Sequence, residues 1–91
     1  MKKRLVAVVI GTVQGVGYRY WTIKRASALD LVGYVQNMPD GNVKVVAEGD
    51  EENLRQFADL LKRGPAGAFV REVVATWVPA TAEYWDFRVK Y

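Results

Sequence analysis

The sequence contains no cysteine and no histidine. The first absence excludes disulfides, thiol nucleophiles and thiolate metal sites. The second removes the most frequent general base and the commonest metal ligand. Any catalysis must therefore rest on arginine, lysine, carboxylates, amides, hydroxyls or the backbone. No apolar run is long enough to span a bilayer. Met1-Lys2-Lys3-Arg4 ahead of apolar residues has the outline of a signal peptide, but Gly11 interrupts the run and no small-residue cleavage site follows. These absences lead to the expectation of a cytoplasmic protein without a membrane partner.

The length, 91 residues, suits one domain, 1–91. With 51% apolar and 12% aromatic residues it can bury one modest core. The formal charge of +3 is a mild basic excess. It fits an anionic ligand, but it is more often plain solvated surface charge.

Leu5-Val6-Ala7-Val8-Val9-Ile10 is continuously apolar and reads as a central strand. Gly11 to Gly17 is a glycine-rich loop. Arg19 to Leu29 reads as a helix with Tyr20, Ile23, Ala26 (or Ser27) and Leu29 inward and Lys24 and Arg25 outward. Asp30 ends it in a position usually given to glycine. Leu31–Asn37 and Val43–Glu48 form a hairpin around the Met38-Pro39-Asp40-Gly41-Asn42 turn. A second helix is capped by Asp50, places Glu51 and Glu52 in its first turn, and carries a Leu54, Phe57, Leu60, Leu61 stripe. Gly64 and Pro65 stop it. Phe69–Val78 is a long β-prone run, and Pro79–Glu83 is irregular. Tyr84–Tyr91 alternates as a half-buried strand with Trp85, Phe87, Val89 and Tyr91 on one face. Trp21, Trp77 and Trp85 are expected in core or edge packing. The order is β-α-β-β-α-β with a final short strand: an α+β, ferredoxin-like sandwich of two helices on one face of an antiparallel sheet. Its usual strand order is 4-1-3-2.

Gly11-Thr12-Val13-Gln14-Gly15-Val16-Gly17-Tyr18-Arg19 is the stretch with chemistry. A glycine-rich turn between a strand and a helix aims successive backbone N–H groups at one point, backed by the positive end of the helix dipole. Arg19 adds a planar fork suited to phosphate oxygens. A dinucleotide fingerprint fails because its third glycine would fall at Tyr20, and no Gly-Lys-Ser/Thr of a P-loop follows. An RNA-recognition platform needs aromatics on the third strand, which carries Val45, Val46 and Ala47 instead, so no nucleic-acid partner is expected.

These residues resemble the acylphosphatases. The first motif of that family, G-x-V-Q-G-V-x-[FY]-R, is matched from Gly11 to Arg19. The second, G-[FWY]-[AV]-x-N followed by a turn and further glycines, is matched by Gly33-Tyr34-Val35-Gln36-Asn37, Gly41 and Gly49. The resemblance runs over essentially the whole chain. Gln36 stands where the family often has a basic residue, and Asp30 where it often has glycine. The resemblance implies hydrolysis of the carboxyl-phosphate bond of a small acyl phosphate, with inorganic phosphate as product and competitor. It also implies a monomeric enzyme that needs no cofactor and no metal. It assigns catalysis to Arg19 and Asn37. Substrate binding would fall to Gln14, Gly15, Val16, Gly17, Tyr18 and Arg19, with Asn37 orienting water. Arg19 as a surface salt-bridge partner, Gln14 as loop packing and Asn37 as a plain turn residue are the alternatives on the residues alone. Thr22 would bond Asn37, the loop, or only its own helix. The Tyr91 carboxylate, if the last strand ends near the loop, would pair with Arg19. The sequence offers no clear pocket for the acyl group. Other readings are a module that holds a phosphate-containing ligand or RNA without turnover, and kinship to the acylphosphatase-like domain of larger carbamoyl-transferring maturation proteins; an ending at Tyr91 with no linker speaks for a free-standing enzyme.

Overall fold

The computed structural model describes all residues, Met1–Tyr91. Strand β1 spans Lys2–Thr12, helix α1 Tyr18–Ala28, strands β2 and β3 Val32–Asn37 and Val43–Asp50, helix α2 Glu51–Arg63, strand β4 Phe69–Pro79 and strand β5 Phe87–Val89. They form one five-stranded sheet in the order β4-β1-β3-β2-β5. β1 pairs antiparallel with β3 and β4, β2 pairs antiparallel with β3, and β5 runs parallel to β2. The expected ferredoxin-like order is present, with the fifth strand added beside β2. β1 and β2 run in the same direction, so the loop after β1 and the end of β2 lie at the same end of the sheet.

The pleat sorts β1 cleanly. Leu5, Ala7 and Val9 are fully buried toward the helices, and Val43, Val45 and Ala47 meet them from β3. Leu54, Phe57 and Leu61 of α2 and Tyr18 and Ala26 of α1 close the core. Burying side chains of this size contributes about 1.5–3 kcal/mol each, which is why the alternating residues of a central strand fix its register.

Four expectations need correction. The inward face of α1 is Tyr18, Thr22 and Ala26, while Tyr20 is 67% exposed. Threonine hid this face from a search for apolar residues. Its hydroxyl donates to the Tyr18 carbonyl at 2.8 Å, so it is buried without an unmet polar group and does not reach Asn37. Asp50 occupies the cap position of α2 in extended conformation, but its side chain makes no capping bond; the Glu51 N–H donates instead to the Met1 carbonyl at 3.0 Å. The last strand has three residues, not eight. Trp85 is 95% exposed and Tyr91 is 96% exposed, so their alternation with Phe87 and Val89 does not mark a buried face. Only Phe87 to Val89 reach β2 in register, opposite Gly33 to Val35.

Asp30 does take the left-handed conformation, at φ 55°. The Leu31 N–H reaches the Ala26 carbonyl at 2.9 Å and the Asp30 N–H the Ser27 carbonyl at 3.2 Å, which closes the end of α1 as a glycine would.

Between β4 and β5 the chain must cross from one edge of the sheet to the other. A buried carboxylate at the far end from the loop holds that crossing. Glu48 accepts from Arg4 Nε at 2.6 Å, from the Thr81 N–H at 2.9 Å and hydroxyl at 2.8 Å, and from the Ala82 N–H at 2.9 Å. Arg4 also donates to the Thr81 hydroxyl and to Glu83, and lies over the Tyr84 ring. Burial pushes the Glu48 carboxyl up. The Thr81 N–H, Arg4, the Thr81 hydroxyl and the Ala82 N–H more than offset this and hold it at about 2.

Candidate active site

The site begins where β1 runs out. Val13 is buried and anchors the start of the loop. Gly15 and Gly17 then adopt φ of 74° and 80°, the left-handed region that other residues enter at a cost. Gly17 is the cap residue of α1 and offers no side chain to its first turn. The N–H groups of Gly15, Val16 and Gly17 make no hydrogen bond within the protein, and those of the first helical turn have no intrahelical acceptor. Consecutive unpaired donors at a helix N-terminus form a site for an oxyanion.

Arg19 projects from that first turn. Its guanidinium makes no ion pair and lies 5.6 Å from the centre of the Tyr91 ring. Contact with the ring replaces the expected pairing with the Tyr91 carboxylate. Asn37 closes β2 at the same end of the sheet, and its Oδ1 is buried with no hydrogen-bond partner. Leaving a buried acceptor unmet costs about 1–3 kcal/mol, so an orphan of this kind at a cavity wall marks a place for a donor from outside the protein.

One cavity of about 270 Å³ joins these groups. Gly15, Gly17, Tyr18, Arg19 and Asn37 line it together with Val13, Tyr20, Ile23, Val89 and Tyr91. No carboxylate side chain is among them, so the field of Arg19 and the helix dipole is uncompensated by any acidic residue there. Gln14 and Val16 do not line it. The Gln14 amide donates to the carbonyls of Met38 at 2.8 Å and Asn42 at 2.9 Å, tying the loop to the β2–β3 turn. Val16 packs its side chain against the core. Tyr18 contributes through its backbone. Its ring is buried and its hydroxyl donates to the Leu61 carbonyl at 2.8 Å, with burial raising its pKa above the usual tyrosine value.

Two sets of lining groups escape the sequence for opposite reasons. Tyr20 fits an apolar period and so reads as core, whereas it faces the cavity mouth. Val89 and Tyr91 read as one face of a strand, and only the parallel pairing of β5 with β2 brings them beside Asn37.

The acylphosphatase family model matches residues 5–89. An acylphosphatase of Dehalococcoides mccartyi strain CBDB1 is 49% identical over 88 residues, covering 96% of this chain and 97% of that protein. One from Thermus thermophilus is 54% identical over 74 residues, covering 81% and 84%. The crystal structure of acylphosphatase from Bacillus subtilis superposes with a TM-score of 0.94 at 32% identity, over 98% of this chain and 99% of that one. With the match extending from β1 through β5 and relatives aligned over nearly their full length, the chain belongs to the acylphosphatase family.

Proposed function

We infer that the protein is an acylphosphatase that hydrolyses a carboxyl phosphate to a carboxylate and inorganic phosphate, with Arg19 and Asn37 as its catalytic residues. The observation that carries this reading is the meeting, in one cavity, of unpaired backbone N–H groups, the Arg19 guanidinium and the unmet Oδ1 of Asn37. The phosphoryl group sits on the N–H groups of the Gly15–Arg19 segment, and Arg19 takes two of its oxygens. The Asn37 Oδ1 accepts a hydrogen bond from a water and sets it in line with the bond to be broken. The water oxygen bonds to phosphorus as the phosphorus–carboxyl oxygen bond breaks. The electron pair leaves with the carboxylate, and a water proton passes to the phosphate. A carboxylate is a good leaving group, so no acid has to protonate it. The protein's task is positioning and charge stabilisation, within reach of residues other than histidine.

Benzoyl phosphate hydrolysis, measured with and without inorganic phosphate, tests the function. Turnover with competitive inhibition by phosphate supports it, and no turnover rejects it. Asn37→Ala is expected to lower kcat by ~10²–10³, the loss found for one preorganised polar group in comparable sites. Arg19→Ala is expected to raise KM as well as lower kcat. Wild-type kinetics in Asn37→Ala would remove the water-orienting role. The proposal includes a cytoplasmic monomer, with the absence of cysteine in keeping with a reducing compartment. Elution at the monomer size in gel filtration is the expected outcome.

A further inference from the structure

Besides its polar groups the cavity is lined by the apolar side chains of Tyr20, Ile23, Val89 and Tyr91. Tyr20 and Tyr91 are the unusual members, at 67% and 96% exposed. Neither ring joins the core, and neither hydroxyl hydrogen-bonds within the protein. Each ring instead has a cation against it: Lys24 lies 5.2 Å from the Tyr20 centroid and Arg19 5.6 Å from that of Tyr91. Two uncovered rings lining a cavity that also holds polar groups leave apolar surface for a ligand to cover.

We propose that these four residues are the subsite for the acyl group, and that they select acyl phosphates with an apolar, planar acyl group over those with a small one. This rests on the acylphosphatase reading and adds to it the class of acyl chain. The geometry gives the reason. With phosphate on the Gly15–Arg19 N–H groups, the space left in the cavity for the acyl group is lined by side chains of α1 and of β5 and the residues after it. A ring there is covered on one side by Ile23 and Val89 and meets aromatic surface from Tyr20 and Tyr91. A methyl or amino acyl group reaches none of this surface.

The test compares benzoyl phosphate with acetyl phosphate. Wild type is expected to show a kcat/KM about tenfold or more higher for benzoyl phosphate, the order of gain for covering one aromatic ring. The Tyr20→Ala, Tyr91→Ala double variant is expected to reduce that ratio about tenfold, and the Tyr→Phe pair to keep it. The ratio is the readout because Tyr91 also touches Arg19, and any change in phosphoryl handling divides out. Benzoate, a product without phosphate, is expected to inhibit wild type more strongly than acetate and to lose this advantage in the alanine variant. Both rings are exposed, so the variants fold. Hydrolysis of both substrates with a ratio unmoved by the alanine variant would overturn the subsite and leave the function standing. Hydrolysis of neither substrate by wild type would overturn both.

Discussion

Replacing Glu48 by glutamine removes one charge while keeping the size of the side chain. The carboxylate accepts four hydrogen bonds, from Arg4, from the Thr81 N–H and hydroxyl, and from the Ala82 N–H. A glutamine amide offers one oxygen to these donors and turns its own N–H groups toward the rest. Glu48 titrates at about 2 in the folded protein against 4.5 as its ordinary value. At 1.36 kcal/mol per pKa unit, that depression corresponds to about 3 kcal/mol of stability. The sign follows from which state binds the proton first. The unfolded chain is protonated as pH falls through 4.5 and the folded protein only near 2, so the contribution is complete above 4.5 and is lost between 4.5 and 2. Urea unfolding followed by tryptophan fluorescence at fixed ionic strength, from pH 7 down to 2, reads it directly. Wild type is expected to lose about 3 kcal/mol across that window beyond what Glu48→Gln loses. At pH 7 the variant is expected to melt roughly 10–20 °C lower. Parallel stability curves for the two proteins over pH 4.5 to 2 would refute the role given to this carboxylate.

Gly17→Ala places a Cβ at φ 80°, where left-handed strain costs about 1–2 kcal/mol; relaxation turns the nest N–H groups away, so weaker inhibition by phosphate at near-wild-type secondary structure is expected, read by kinetics and circular dichroism. Gln14→Ala loses two bonds to the β2–β3 turn; a KM increase and a stability loss of about 1–3 kcal/mol in urea unfolding are expected. No acidic, histidine or cysteine side chain lines the cavity, so kcat is expected to be flat from about pH 5 to 8; a bell-shaped profile would point to an ionising group outside it. No three histidine, cysteine, aspartate or glutamate side chains gather into a metal-binding set, so EDTA is expected to leave the rate unchanged.

Much of the architecture is legible in the sequence because each element carries a local signal. The apolar run of β1 around Leu5, Ala7 and Val9, the amphipathic stripe of α2 and the Pro39–Gly41 turn are all written in neighbouring residues. Arg19 and Asn37 are legible as members of two spaced motifs. What is not legible depends on distant partners. Thr22 is buried because its face of α1 packs on β2 and β5, while its hydroxyl is met within the helix by the Tyr18 carbonyl. Trp85 is exposed because it stands before β5, whose pairing with the distant β2 starts only at Phe87. The role of Gln14 requires the Met38 and Asn42 carbonyls to stand within reach of the loop. The presence of Val89 and Tyr91 in the cavity requires β5 to arrive beside β2. Periodicity gives the face of an element, but only the sheet order tells which face has a neighbour.

The bridge from Gln14 to the turn also bears on time. Its two acceptors are in place only once β2 and β3 have closed around Met38–Asn42, and Val89 arrives only after the chain has crossed the sheet. The Gly11–Gly17 loop therefore needs partners from later in the chain to complete its shape, although it lies early in the sequence. Contacts formed after the folding barrier govern the rate of unfolding rather than that of folding. If the loop completes its shape after that barrier, phosphate is expected to leave the refolding rate nearly unaltered and to lengthen the life of the native state by a factor of one plus the ratio of phosphate concentration to its Kd.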